Sequence, residues 1–253
     1  AMSWAIQTHT GEPPALRKNM PAGEIVRVLA SGPTATVVQL RPPKGPDTLF
    51  KRYFFPEWRQ RFQSAGRHTY WGAPKVVVEA ENLMRLGGAG VPTLPPLAWG
   101  VDRSFGFVRD SWLLLPFVPE APDLQQSILS GHSFAPGFWT QLGQSVRLMH
   151  QARCRYRGLC ARNLLVQSDR FCWIDPAKAK WSRRIGRKSA SASDLLVFLS
   201  PLWGRIAPAA DEAFAKGYGD FDVSNPDILW KRLTPWDLKW TQGAVARERA
   251  RWE

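Results

Sequence analysis

The chain changes character at residues 116–122, where the segment PFVPEAP separates a strand-rich half from a helical half. Proline-rich segments of this kind are typical of linkers between compact units. Strands with one helix on one side, and helices with a small hairpin on the other, predict an α+β fold of two lobes. We expect a loose arm at residues 1–22, a β-rich N-terminal lobe at 23–118 and a mainly helical C-terminal lobe at 119–253.

The strand-rich half carries three local signals. Residues 24–40 contain two β-rich runs around a small-residue turn at 31–34, which predicts a hairpin. The run TLFKRYF at 48–54 predicts a third strand. Apolar residues at helical spacing predict a helix over residues 76–86, which ends at a pair of glycines.

The second half is mostly helical in pattern. Residues 138–150 carry an apolar face, and residues 194–202 are typical of a buried helix. Two short apolar runs, at 163–166 and 171–174, predict a small hairpin. The basic and serine-rich residues 178–193 are expected to form a loop, and the last fifty residues are helical in pattern.

The net charge of +13 on 253 residues implies an anionic partner, such as nucleotide phosphates, an anionic membrane surface or nucleic acid. Three cysteines without paired spacing suggest neither a disulfide framework nor a CxxC metal site, and favour a reducing cytoplasm. The first residues do not resemble a signal peptide. Because no apolar run approaches the roughly 20 residues of a membrane span, membrane contact is expected to be peripheral.

Two pairs of polar residues point to phosphoryl transfer, which needs a cation on the phosphates, an acid holding that cation and oxygen ligands for a metal. Lys51 lies in the third strand and Glu79 on the following helix. Each is an ordinary surface charge when taken alone. Asn163 and Asp175 flank the predicted hairpin, which would bring an amide and a carboxylate to one end where they can share a divalent metal.

These residues lie in stretches that resemble the lipopolysaccharide core kinases, the bacterial Kdo and heptose kinases related to protein kinases. The resemblance rests on LMHQARCRYRGLCARNLLV followed by FCWIDPAKA, and on LFKRYFFP and EAENLMRLGGAGVPTLPPLAWG upstream. It covers roughly residues 24–200. It implies a two-lobed protein-kinase-like fold, the use of ATP and magnesium, and a place at the cytoplasmic face of a bacterial inner membrane.

The resemblance also implies roles for individual residues. Lys51 matches the phosphate-binding lysine, and Glu79 matches its helix partner. Asn163 and Asp175 match the two metal ligands. The remaining matches are the segment 114–118 as the adenine-contacting hinge, which includes Leu115 and Phe117, and Asp194 as the buried aspartate that braces the catalytic loop.

The chain departs from the family pattern at its catalytic loop. Where the family has His-x-Asp, this chain has Tyr156, Arg157 and Gly158. Gly158 therefore occupies the catalytic aspartate's slot, five residues before Asn163, and loss of such a group commonly costs about 10²- to 10⁴-fold in rate. The turn Ser31-Gly32-Pro33 is also a poor phosphate-binding loop, because proline has no N–H.

Three interpretations stay open at this point. The chain is a pseudokinase that binds ATP and magnesium but transfers phosphate poorly, an active sugar kinase with another base, or a non-catalytic scaffold for a partner kinase. We favour the first. Because phosphoryl transfer depends mainly on positioning and charge stabilisation, a missing base does not by itself prove inactivity.

Two basic surfaces complete the expectations. The segment KAKWSRRIGRK is expected to face an acidic, phosphorylated core substrate through Lys178, Lys180, Arg183, Arg184, Arg187 and Lys188. The tryptophans and arginines of the C-terminal tail suit either a membrane interface or packing on the second lobe. Partners are expected at the lipopolysaccharide core, at the inner-membrane surface or among lipopolysaccharide-assembly proteins, and no nucleic acid is expected.

Overall fold

The computed structural model describes residues 5–8, 16–17, 20–55, 57, 59–60, 70–181, 187–219, 223 and 225–253. The chain forms two compact units. Residues 1–84 and 94–119 form the first, and residues 85–93 and 120–253 form the second. The division after residue 119 falls inside the segment predicted to be a linker.

The first unit is an antiparallel sheet covered by most of one helix, whose last residues, 85–88, belong to the second unit. Its elements are β1 (Ala5–Thr8), β2 (Leu16–Arg17), β3 (Met20–Pro21), β4 (Glu24–Ser31), β5 (Ala35–Arg41), β6 (Thr48–Phe54), helix α1 (Lys75–Gly88), β7 (Ala98–Ser104) and β8 (Phe107–Pro116). The six-stranded sheet has the order β1-β7-β8-β6-β5-β4, and β2 pairs with β3. Residues 5–8, expected in a loose arm, pair with β7 in this structure.

Side chains on β8 alternate between two cores, as a strand with both faces covered requires. Leu113 and Leu115 pack with Val76 and Leu83 of α1. Trp112 and Leu114 pack on the other face with residues of β5 and β6. The predicted hairpin, third strand and helix are confirmed. In the sheet, β6 pairs with both β5 and β8.

The second unit is mainly helical. Its elements are α2 (Leu124–Leu129), α3 (Pro136–Gln151), β9 (Cys154–Tyr156), β10 (Leu164–Gln167), β11 (Arg170–Trp173), β12 (Ala179–Trp181), α4 (Arg187–Leu199), α5 (Pro208–Tyr218), α6 (Pro226–Lys231) and α7 (Pro235–Arg249). Strands β10 and β11 form the predicted hairpin, and β9 pairs with β12.

Helices α3 and α5 approach closely because each presents a glycine to the other. A Cβ at Gly143 would lie 2.2 Å from the Phe214 carbonyl oxygen, and one at Gly217 would lie 2.0 Å from that of Thr140. No side chain fits at either position, so these glycines set the distance between the two helices.

The prediction of a loop at residues 178–193 is wrong for the described part of that range. Residues 179–181 form β12, and α4 begins at Arg187. Ser189, Ser191 and Ser193 are buried in α4, because small side chains let this helix pack closely despite their modest helix propensity. The buried helix predicted at 194–202 therefore starts seven residues earlier and ends at Leu199.

In the part of the chain that the structure describes, none of the helices is both long and apolar enough to cross a membrane.

Candidate functional site

Lys51 and Glu79 form an ion pair in the first unit. The Lys51 Nζ lies 2.6 Å from the Glu79 Oε1. The Lys51 side chain is 12% exposed and that of Glu79 is fully buried. A carboxylate buried to this degree is retained only with a charged partner, so the pair fixes the lysine ammonium at one place on β6.

The predicted hinge residues lie at the end of β8 and just beyond it. Leu115 is 2% exposed and belongs to the first unit's core. The Phe117 N–H donates to the Asp47 carbonyl at 3.3 Å, and its side chain is half-buried. Contact of this segment with an adenine ring stays a prediction.

In the second unit, Asp194 holds the start of the catalytic-loop segment, by which we mean residues 155–163. Its Oδ2 accepts a hydrogen bond from the Tyr156 N–H at 2.6 Å, and the carboxylate is 1% exposed. The His150 Nε2 lies 3.7 Å from the same oxygen. The hydrogen bond joins α4 to the start of this segment, and the bracing role of Asp194 stays a prediction.

Asn163 lies where the loop meets the hairpin. Its Nδ2 donates to the Gly158 carbonyl at 2.7 Å, and its own carbonyl accepts from the Ile174 N–H at 2.9 Å. The second bond joins Asn163 to the residue immediately before Asp175. The hairpin thus brings the two predicted metal ligands to the same end of β10 and β11.

Asp175 has an unusual backbone for a residue with a side chain. Its φ and ψ are 56° and 47°, in the left-handed region. This conformation is uncommon outside glycine, although aspartate adopts it more readily than most residues.

The residues present fit a magnesium ion in their chemistry. The Asn163 amide oxygen and the Asp175 carboxylate are hard oxygen donors, which magnesium prefers along with nucleotide phosphates. Asn163 uses its amide N–H on Gly158, so its amide oxygen is the atom suited to a metal. In the described residues there is no group of three or more His, Cys, Asp or Glu arranged to hold a metal.

Gly158 occupies a crowded place. A Cβ built on it would lie 2.9 Å from the Tyr156 Cε2 and 3.2 Å from the Asn163 Nδ2. Its φ is not in the left-handed region, so space, not backbone conformation, disfavours a side chain. The loop is packed around the glycine.

Tyr156 was predicted only as a departure from the family's histidine. In the structure it is 1% exposed, and its hydroxyl donates to the Ile174 carbonyl at 2.5 Å. The tyrosine therefore links the loop, through its N–H on Asp194 and its hydroxyl on Ile174, to the segment that carries Asp175. No sequence signal marked the hydroxyl contact, because its partner is a backbone carbonyl.

The predicted basic patch is described only in part. Lys178, Lys180 and Lys188 are exposed. Arg183, Arg184 and the side chain of Arg187 lie outside the described residues. Binding of substrate by this patch stays a prediction.

The tail tryptophans divide between packing and exposure. Trp252 is 6% exposed and Trp236 is 90% exposed. Trp240 is half-buried, with the guanidinium carbons of Arg155 and Arg157 at 5.3 and 5.1 Å from its ring centre. Trp230, Trp240 and Trp252 therefore pack within the second unit, and Trp236 stays exposed.

Cys154 and Cys160 are buried, and Cys172 is partly buried. Burial raises the pKa of Cys154 to about 12 and that of Cys160 to about 11. A thiol with such a pKa holds almost no nucleophilic thiolate at neutral pH, which excludes these two cysteines as a replacement base or nucleophile.

Sequence reasoning missed the partners that α7 supplies to the loop. Asp237 pairs with Arg155, and Glu248 pairs with Arg162. The sequence signal for these contacts was that Asp237 and Glu248 are acids in an otherwise basic tail and lie on one helical segment.

Comparison with known proteins gives one consistent result. The model of the lipopolysaccharide kinase (Kdo/WaaP) family matches residues 43–218. The 3-deoxy-D-manno-octulosonic acid kinase of Photobacterium profundum is 31% identical over 110 residues, covering 42% of this chain and 44% of that protein. The kinase of the same name from Haemophilus influenzae is 28% identical over 100 residues, covering 38% and 41%. The matched segment is thus less than half the length of either relative.

Among solved structures, WaaP in complex with acyl carrier protein superimposes with a TM-score of 0.54. The superposition covers 88% of each chain at 17% sequence identity. This likeness confirms the predicted kinase-like α+β fold.

Proposed function

Because the chain belongs to the lipopolysaccharide kinase (Kdo/WaaP) family, we propose that it is a lipopolysaccharide core kinase-like pseudokinase. It holds ATP and magnesium and transfers phosphate poorly or not at all. The observation that carries the proposal is Gly158, which supplies no carboxylate where the family's loop has one, while the groups proposed to hold the nucleotide remain.

The Lys51–Glu79 pair supports retained phosphate binding. Its separation of 2.6 Å keeps the ammonium in one place before any ligand arrives. A cation held in this way binds phosphate oxygens without first losing conformational freedom. In this proposal Lys51 contacts the nucleotide phosphates and Glu79 positions it.

Asn163 and Asp175 support retained metal binding. The bond from Ile174 to Asn163 and the left-handed backbone of Asp175 belong to a segment held in a defined shape. When bound, magnesium would neutralise charge on the phosphates. The residues' own part is to offer two oxygen donors from one end of the hairpin.

Gly158 supports the loss of efficient transfer. A carboxylate at this position would accept the acceptor's hydroxyl proton or orient that hydroxyl. Glycine does neither, and the crowding by Tyr156 and Asn163 leaves little room for a side chain. What is lost is the group that aims the acceptor, and the apparatus for the nucleotide is separate from it.

The proposed setting is the cytoplasmic face of a bacterial inner membrane, in contact with lipopolysaccharide core or with a protein of its assembly. The net charge of +13 and the exposed Lys178, Lys180 and Lys188 suit phosphorylated core sugars and anionic lipid.

A thermal-shift titration with ATP and magnesium tests the binding half of the proposal. A ligand at about 100 times its dissociation constant stabilises a protein by about 2.7 kcal/mol, so we expect a clear rise in Tm. Asp175→Ala removes the magnesium-dependent part of that rise. The matched control is Asp169→Ala, which changes an exposed aspartate at the turn of the same hairpin and leaves the rise intact.

Two outcomes would change the proposal. Absence of any shift at millimolar ATP contradicts nucleotide binding and favours the non-catalytic scaffold. Phosphorylation of core sugars by the purified protein, abolished in Asp175→Ala, contradicts the pseudokinase and favours an active kinase with another base.

A further inference from the structure

Helix α7 lies outside the segment that the family model matches, which ends at residue 218. Its polar side chains contact both the catalytic-loop segment and helix α4 with the residue just after it: Asp237 and Glu248 pair with the loop segment, and Thr241 and Arg249 bond to Ser193 and Ser200. Only Thr241, Ala244 and Val245 of this helix are buried, so its apolar contribution to the core is small. Ion pairs and hydrogen bonds to the loop segment and to α4 add to this packing.

Asp237 holds the start of the loop segment. Its Oδ1 lies 2.8 Å from the Arg155 Nη1, with the two side chains 14% and 9% exposed. Arg155 also donates to the Ser193 Oγ at 3.3 Å, and that hydroxyl lies 2.7 Å from the Thr241 Oγ1. Arg155 is thus bonded at once to α7 and to α4 beside Asp194.

Trp240 extends this contact toward Gly158. Its ring is flanked by the guanidinium groups of Arg155 and Arg157 at 5.3 and 5.1 Å. Stacking of guanidinium on tryptophan is a favourable contact. Arg157 is the residue immediately before Gly158, so α7 reaches the neighbour of the degenerate slot.

Glu248 holds the far end of the same segment. Its two carboxylate oxygens accept from the Arg162 Nη2 at 3.3 and 3.2 Å. Arg162 is the residue immediately before Asn163. Glu248 also pairs with Arg251, whose carbonyl accepts from the Gln125 Nε2 at 2.7 Å.

One helix therefore holds both ends of the loop segment. Asp237 and Glu248 stand about 16 Å apart along the helix axis, at the usual rise per residue. We infer that α7 is a positioning element for the catalytic-loop segment, with Asp237, Trp240 and Glu248 fixing where residues 157–163 lie. The inference goes beyond the proposed function, and rests on it only where Asn163 is treated as a metal ligand.

Hydrogen exchange tests the inference without any ligand. Glu248→Ala removes the ion pair with Arg162, and alanine keeps the helix propensity of α7. A hydrogen bond between charged groups is strong enough that we expect exchange of the amides in 157–163 to rise about tenfold, with α3 amides unchanged. The matched control is Glu212→Ala, an exposed glutamate on α5, which leaves exchange in 157–163 unchanged.

A second variant, Arg162→Met, removes the other partner of the Glu248–Arg162 pair. It is expected to raise exchange in the same amides and nowhere else. Unchanged exchange in 157–163 in both variants contradicts the inference. So does an equal rise in 157–163 and α3, because that result indicates general destabilisation instead of positioning.

A metal readout separates positioning from stability. In Glu248→Ala, the manganese concentration at which ATP stabilises the protein to half the maximal extent should rise several-fold. The affinity of the variant for ATP without metal should stay the same. An unchanged manganese requirement contradicts the link to Asn163. If the wild-type protein shows no stabilisation by ATP at all, the proposed function fails, and the exchange result still decides whether α7 positions the loop.

Discussion

At the residue scale, Gly158 is surrounded by groups that cannot easily move. The nearest is the Tyr156 ring, which is buried and bonded through its hydroxyl to Ile174. The next is the Asn163 amide, which is bonded to the Gly158 carbonyl itself. The loop is therefore packed so closely that a side chain at position 158 would require Tyr156 or Asn163 to shift.

Gly158→Ala is predicted to destabilise the protein by about 1 kcal/mol, because a methyl group would force the Tyr156 ring or the Asn163 amide to shift. Chemical denaturation measures this free energy of unfolding. The matched control is Gly137→Ala in α3, where a Cβ meets nothing within 4 Å and helix propensity favours alanine. Equal stability of the two variants would show that the space beside Gly158 is not restricted.

Single residues differ in how far the sequence predicted them. Lys51, Glu79 and Asp194 were singled out because a known family has the same residue types at the same slots. The structure pairs Lys51 with Glu79 and Asp194 with the Tyr156 N–H, and the roles of these residues stay predictions. The hydroxyl contact of Tyr156 was not predicted, because its partner is a backbone carbonyl that no sequence pattern marks.

At the scale of elements, the acids of α7 show how the tail is attached. Burial opposes ionisation of Asp237, but hydrogen bonds from Ser189 and Thr234 and the charge of Arg155 hold its pKa below the ordinary value. The ionised carboxylate is therefore the form that docks α7.

Asp237→Asn is predicted to cost about 2 kcal/mol at pH 7, the usual size of hydrogen bonds to a charged group. Since the folded-state pKa is lowered, the contribution is present above the ordinary carboxyl pKa near 4 and is lost as pH falls through the folded value. The difference in Tm between wild type and variant should therefore shrink below about pH 4. Asp227→Asn, at an exposed first-turn aspartate of α6, serves as control; a pH-independent difference for Asp237→Asn would contradict this attachment.

Elements with strong periodicity were predicted well, and the serine-rich segment was not. Residues 187–193 are basic and then serine-rich, a composition typical of loops, yet they open α4. The helix forms because its serines are buried and hydrogen-bonded, as Ser189 is to Asp237 and Ser193 is to Thr241. Each of those partners lies 48 residues away in sequence, so local propensity could not reveal them.

At the scale of the whole molecule, the division into a strand-rich and a helical unit followed from composition and periodicity alone. The match to a kinase family and the likeness to the WaaP fold confirm the kinase-like α+β fold. The docking of α7 onto the loop was not predicted, because the acids of the tail do not by themselves identify their distant arginine partners.

A single-turnover experiment tests the central claim most directly. Protein in excess is mixed with labelled ATP, magnesium and a core-sugar acceptor, and the bound fraction and its conversion to ADP are followed together. We predict that ATP binds and remains ATP, with conversion at least about 10²-fold slower than a kinase with its aspartate would give. Rapid conversion of bound ATP with phosphate on the sugar would contradict the claim, and so would the absence of bound ATP.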